Sequence, residues 1–168
     1  MRLRPGWLTL ALGGLLWLVP GSSGSGPSAS ERGALPALPA VAAPGVAAPA
    51  RVVQELQTAL DLAVRRFEAR DAAGVLAHVS DRYRTGPLTR TGIREQLAAI
   101  YAVYDAVRAR VRIDEVRMVG EHAWIYTTGE VSGRLPLLGS WVSFLAWERE
   151  LEVARLEGGA WRLFGYQQ

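Results

Sequence analysis

From residue 107 onward the chain repeats with a period of two, and that period confines its last third to strands. Val107, Ala109, Val111 and Ile113 alternate with Arg108, Arg110, Arg112 and Asp114, as in a strand with one face in the core and one in water. The parity slips at Glu115, after which Val116 and Met118 carry the apolar set. One extra residue in a strand is a β-bulge, so a bend is predicted there. Gly120-Glu121 marks a turn, and residues 123–131 follow as a strand rich in aromatic and β-branched side chains. A hairpin about this turn sets Val116 beside Ile125, Met118 beside Ala123 and Arg117 beside Trp124. One face is then aliphatic, and the other carries Trp124, Tyr126 and arginines. After a Gly- and Pro-containing loop at 132–140, residues 141–156 read as a long third strand. Glu157-Gly158-Gly159 turns it back into a fourth at 161–166.

A meander with one oily face needs helices to cover it, and the upstream sequence supplies them. Residues 51–70 place Val53, Leu56, Leu60, Val64 and Phe67 on one helical stripe. Asp71 is placed to cap a short helix at 72–79. Residues 80–85 form a brief extended piece containing Tyr83, which Gly86-Pro87 breaks. Thr89 or Thr91 then starts a third helix with Ile93, Leu97, Ile100, Tyr104 and Val107 as its stripe. The predicted class is α+β, a curved antiparallel sheet of four long strands plus a short one around two to three N-terminal helices.

Ahead of this domain, assigned to residues 51–168, the chain has two further parts. Residues 1–21 have the layout of a signal peptide: Arg2 and Arg4, an uncharged apolar run at 7–19, then Pro20-Gly21. The run is short for a membrane span, which needs about 20 residues. The expected address is therefore extracytoplasmic, periplasmic or secreted, with an uncleaved membrane anchor as the alternative. Residues 22–50 are Gly-, Ser-, Ala- and Pro-rich with no hydrophobic period and read as a disordered linker.

Composition removes several functions. The net charge of +3 owes most of its excess to the leader, and there is no block of like charges, so no nucleic-acid partner is expected. The chain has no cysteine, which excludes disulfides, thiol chemistry and a lipid-modified cysteine. Its two histidines, His78 and His122, are far apart and show no metal-ligand spacing. Neither a metal nor a cofactor is expected.

The order helix, short helix, short strand, helix, strands resembles the nuclear transport factor 2-like superfamily, which includes ketosteroid isomerases and SnoaL-like polyketide cyclases. The resemblance is carried by Arg70-Asp71-Ala72, Ser80-Asp81-Arg82-Tyr83, the start of the third helix at 88–93, the hairpin at 120–125 and Gly159-Ala160-Trp161-Arg162-Leu163. It implies a cone-like, cystatin-like shape with a pocket at the open end, and commonly a dimer through the outer face of the sheet. In the isomerases an Asp base works with a Tyr and a protonated Asp, because removing a proton beside a carbonyl needs a base and buried donors together. Here the first helix offers Phe67 but no tyrosine on its stripe. The aliphatic face offers Val111, Ile113, Val116, Met118 and Ile125 but no carboxylic acid, and only Asp81 falls near the expected base.

Other residues can still be named for a site. Tyr83, Tyr101, Tyr104 and Trp147 are the candidates for lining a ligand pocket, against the alternative that they are core aromatics. His78 with Asp81 could form an acid–base pair, although a histidine near a helix end is also favoured there as a cation. Arg108, Arg110 and Arg112 could meet an anion, and Glu148, Glu150 and Glu152 repeat the pattern with opposite sign; both read as solvated strand faces. Alternation puts Trp124 and Tyr126 on the outer face, where Arg117 or Arg112 could stack on them, and predicts a homodimer through these rings. The reading favours an exported, non-catalytic domain that binds a small apolar ligand or a protein partner, with membrane contact only through an uncleaved N-terminal segment. The alternatives are a small-molecule isomerase, cyclase or hydratase, or a structural assembly dimer.

Overall fold

The computed structural model describes residues 44–166; the segments read above as a signal peptide and as most of a linker lie outside the described residues. Helix α1 (Ala50–Glu68) is followed by a short α2 (Ala72–Leu76) and by α3 (Arg90–Val103). The Asp71 side chain accepts a hydrogen bond from the Gly74 amide at the start of α2, and the Thr89 hydroxyl accepts one from the Gly92 amide at the start of α3. Each cap satisfies an amide that has no partner inside its helix. Between α2 and α3 the expected extended piece is a small hairpin of β2 (Arg84–Thr85) and β3 (Leu88–Thr89).

The main sheet is antiparallel in the order β1-β4-β5-β6-β7, with β4 (Ala106–Val119), β5 (His122–Arg134) and β6 (Trp141–Glu157) as its long strands. The fourth strand of the meander, β7 (Ala160–Leu163), is shorter than its sequence suggests. The chain turns away at Gly165, whose φ of 76° is left-handed. The sheet also has an edge strand in the stretch assigned to the linker: β1 (Val46–Ala47) pairs with Met118 and Arg117. Two residues of Ala- and Gly-rich sequence are too few to show a period.

The β4–β5 register places Val116 opposite Ile125, Arg117 opposite Trp124 and Met118 opposite Ala123, as the hairpin predicts. The bulge also lies where the parity slips, with Asp114 left over between Ile113 and Glu115. A second bulge was not legible. On β6, Glu148 and Arg149 together face Thr128 alone, since Thr127 pairs with Glu150 and Gly129 with Trp147. Arg149 takes a φ of 48° there, a conformation uncommon for a residue with a side chain. Thr128 joins the two bulges: its hydroxyl donates to Asp114 Oδ2 (2.5 Å) and accepts from the Arg149 amide (3.0 Å). The line Asp114–Thr128–Arg149 crosses three adjacent strands, and bulges increase bend and twist, so the sheet curves around α1 along this line.

The curved sheet holds two cores. One gathers Phe67, Val79, Tyr83, Ile93, Leu97, Val107 and Trp147; the other gathers Leu56, Val116, Ala123, Ile125, Ala154 and Trp161. The middle of the α1 stripe, Leu60 and Val64, is only half-buried. Both residues border open space inside the cone.

Candidate functional site

Two small cavities lie between α1 and the inner face of the sheet. One, of about 50 Å³, is bounded by Phe67, Ile93, Leu97, Val131 and Phe144. The other, of about 70 Å³, is bounded by Leu56, Ile113, Ile125, Ala154 and Trp161, and brings in the polar groups His78, Thr127, Glu152 and Arg162. Leu60, Ala63 and Val111 line both.

Each polar group is placed by a distinct piece of backbone. His78 is carried to the cavity by the segment after α2, which hydrogen-bonds along β7: the Leu163 amide donates to the His78 carbonyl (2.9 Å) and the Ser80 amide to the Leu163 carbonyl (2.8 Å). Arg162 lies on the same β7 stretch. Thr127 is inward on β5, where its hydroxyl accepts a hydrogen bond from Trp147 Nε1 (3.0 Å). Glu152 is only 2 % exposed, and the β6 bulge puts it there. Trp147 is inward at an odd position, two residues then occupy the place of one, and Glu152 and Ala154 become inward at even positions.

This corrects the expectation that Glu152 belongs to a solvated face; the aliphatic face of β4 and β5 itself carries no acid, as expected. The acid comes from β6, not from β4 or β5. Its charge reaches beyond the cavity wall. Burial first, and the Glu152 carboxylate second, raise the pKa of the Tyr83 hydroxyl; the same two causes lead for Tyr166.

His78 and Asp81 do not form a pair. The Asp81 side chain is 81 % exposed and meets Arg90 at 3.2 Å, whereas His78 faces inward. The helix-end expectation also fails for His78, because burial, then the charges of Arg162 and Arg66, push its pKa below the ordinary histidine value. A histidine with a depressed folded-state pKa stabilises the fold while neutral and loses that contribution as pH falls below the unfolded value of about 6.5. Stability should therefore decline between pH 7 and pH 5 more steeply in the wild type than in His78→Gln. Urea melts at several pH values check this, and parallel curves would show that His78 stays solvated.

The four tyrosine and tryptophan candidates are found beside the cavities, not among their principal walls. Tyr83 is buried in the first core. Tyr101 donates its hydroxyl to the Phe67 carbonyl (3.2 Å), with burial raising its pKa to about 12. Tyr104 stacks on Phe144 at 4.8 Å between ring centres, and Trp147 reaches the cavity through Thr127. On the outer face Trp124 and Tyr126 stand where alternation puts them, but not under the expected arginines. Arg117 binds Glu115 and the carbonyls of Pro44 and Gly45, and Arg112 binds Asp114. Tyr126 lies under Arg149 (5.1 Å), and Trp124 meets the edge of Tyr166. The C-terminal tail thus covers part of the face from within the chain.

No family model matches this sequence. No curated protein matches it either. Solved structures do. The chain is similar to a conserved protein from Planctomyces limnophilus (TM-score 0.59, 13 % identity, 68 % of this chain and 92 % of that one). It is also similar to a nuclear transport factor 2-like superfamily protein from Salmonella enterica (0.57, 13 %, 70 % and 89 %). A third is a ketosteroid isomerase-like protein from Erwinia carotovora (0.54, 16 %, 70 % and 94 %). Identities this low speak for the backbone alone. With helices laid in a bent antiparallel meander and a cavity beneath them, the chain has the nuclear transport factor 2-like fold.

Proposed function

We propose that the domain binds a small, largely apolar molecule between α1 and the sheet. The observation that carries this reading is the second cavity, whose apolar wall is interrupted by a few polar groups, Glu152 and His78 foremost. Apolar walls with a small number of placed polar groups are the usual make-up of a ligand site. The volumes limit the guest. Cavities of about 50 and 70 Å³, even when joined, compare with the ~150 Å³ apolar cavity that admits benzene. A guest of that class with one hydrogen-bond donor would bury its apolar part against Leu60 and direct the donor to Glu152.

The test is a thermal-shift screen of small cyclic alcohols, phenols and amines. A guest at about one hundred times its Kd should add about 2.7 kcal/mol of stability. Ala63→Met, which fills the shared wall, should abolish the shift, and Glu152→Leu should remove the advantage of donors over plain hydrocarbons. A screen with no shift, combined with an empty organic extract of the native protein, would reject the proposal.

A second reading is proton transfer on such a guest, favoured by His78 and Glu152 facing one cavity. A buried carboxylate and a neutral imidazole are suitable bases. Deuterium uptake from heavy water into a bound small ketone, lost in Glu152→Gln with binding retained, would distinguish catalysis from binding.

A further inference from the structure

We infer that the β5–β6 hairpin tip is a docking element for an anionic lipid bilayer. Leu137 is 99 % exposed and Leu138 72 %, in a loop with backbone hydrogen bonds of its own. The Leu135 amide donates to the Ser140 carbonyl (3.0 Å), and the Gly139 amide donates to the Leu135 carbonyl (2.8 Å). Loop backbone closed on itself in this way holds both leucines outward. Trp141, just beyond the tip, is 37 % exposed, and Val103 at the end of α3 is 45 % exposed. Residues 104–105 tie these two places together, since Asp105 hydrogen-bonds the Arg134 carbonyl and its carboxylate pairs with the Arg134 side chain at 2.8 Å.

Behind the apolar tip the charge is positive. Arg108 lies 4.0 Å over the Trp141 ring. With Arg110, Ser132, Ser143 and Glu130 it borders an open recess of about 320 Å³ on the outer face. Arg70 and Arg134 stand at the same end, so four arginines face three acids: Asp105, Glu130 and Glu68, whose carboxylate accepts from the Ala109 amide (3.1 Å). Leucines that protrude past a tryptophan, with arginines one layer back, match the depth order of a bilayer surface: acyl chains, then interface, then phosphates. A second copy of the chain fits less well. Two leucines and part of a tryptophan expose a few hundred Å² at most, short of the ~800 Å² per partner of a stable interface.

The absence of native cysteine allows a direct test in the full chain. Leu138→Cys and, at the opposite end of β5, Glu121→Cys are each labelled with an environment-sensitive fluorophore. Each is then mixed with vesicles of phosphatidylcholine alone or with phosphatidylglycerol. On the mixed vesicles the Leu138 label should shift to the blue and resist quenching by iodide, while the Glu121 label stays in water. Adding Arg108→Gln and Arg110→Gln should weaken this binding about tenfold or more. The inference is overturned if the chain pellets with vesicles while the Leu138 label remains quenchable, because another segment then makes the contact. Protection of that label before vesicles are added would overturn it in favour of a second copy. Equal protection on phosphatidylcholine alone, unchanged by the arginine substitutions, would also overturn it.

Discussion

Trp161→Ala should lower the unfolding free energy by about 3 to 5 kcal/mol, the range for removing a buried aromatic. Trp161, the second residue of β7, is 9 % exposed and packs in one core with Leu56 of α1 and Ala123, Ile125 and Ala154 of the sheet. Its indole Nε1 donates to Glu55 Oε2 (3.0 Å), so the ring fixes α1 through both its faces and its edge. That hydrogen bond and Arg51 hold the Glu55 carboxyl below the usual carboxylate range, Arg51 foremost. Trp161→Phe keeps most of the packing and loses the bond, and it should cost clearly less. Urea denaturation gives both numbers. A loss under about 1 kcal/mol for the alanine variant would mean that α1 does not depend on this contact. Since Trp161 also borders the second cavity, the variant should lose ligand protection together with stability.

Gly129→Ala should destabilise by at least about 2 kcal/mol although it adds a single methyl group. Gly129 is inward on β5, and the six-membered ring of Trp147 lies directly over it. A Cβ would stand 2.6 Å from Trp147 Cη2 and 2.8 Å from the Arg110 carbonyl oxygen. The ring cannot swing aside freely, because its Nε1 is held by Thr127. Gly133 plays the same part beneath Tyr104; strand glycines often mark such close approaches. Combining Gly129→Ala with Trp147→Leu should cost less than the two changes summed, since the second removes what the first strikes. Strict additivity in a double-mutant cycle would place the cost in the backbone.

Where the side chains themselves alternate, the sequence was legible. The bulge at Asp114 and the β4–β5 register both follow from runs in which a polar residue breaks an apolar series at a definite place. The β6 bulge had no such sign. Trp147-Glu148-Arg149-Glu150 contains no glycine or proline, and an arginine adopts the left-handed conformation that a glycine would have announced. As a result Glu152, the charged residue deepest in the fold, looked like one of three evenly spaced surface acids. His78 was legible as a residue of interest but not in its surroundings. Its place at the cavity is set by the hydrogen bonds of residues 78–80 to β7, a contact about 85 residues away in sequence that no local pattern encodes. The short β1 was invisible for a simpler reason, since two residues cannot display a period.

The extra residue on β6 also has a consequence for how this interior could change over generations. The bulge puts two residues, Glu148 and Arg149, in the place of one, so the loss of one codon there would remove the bulge and leave every later residue on its present face of the sheet. Glu152 would stay opposite Ile125 on the cavity side, with Leu151 and Val153 still opposite Tyr126 and Trp124 on the other. In lineages with this fold, β6 can therefore lose or gain this one residue while the acid keeps its place at the cavity. An alignment that closes a one-residue gap at this point for convenience would pair residues from opposite faces of the sheet.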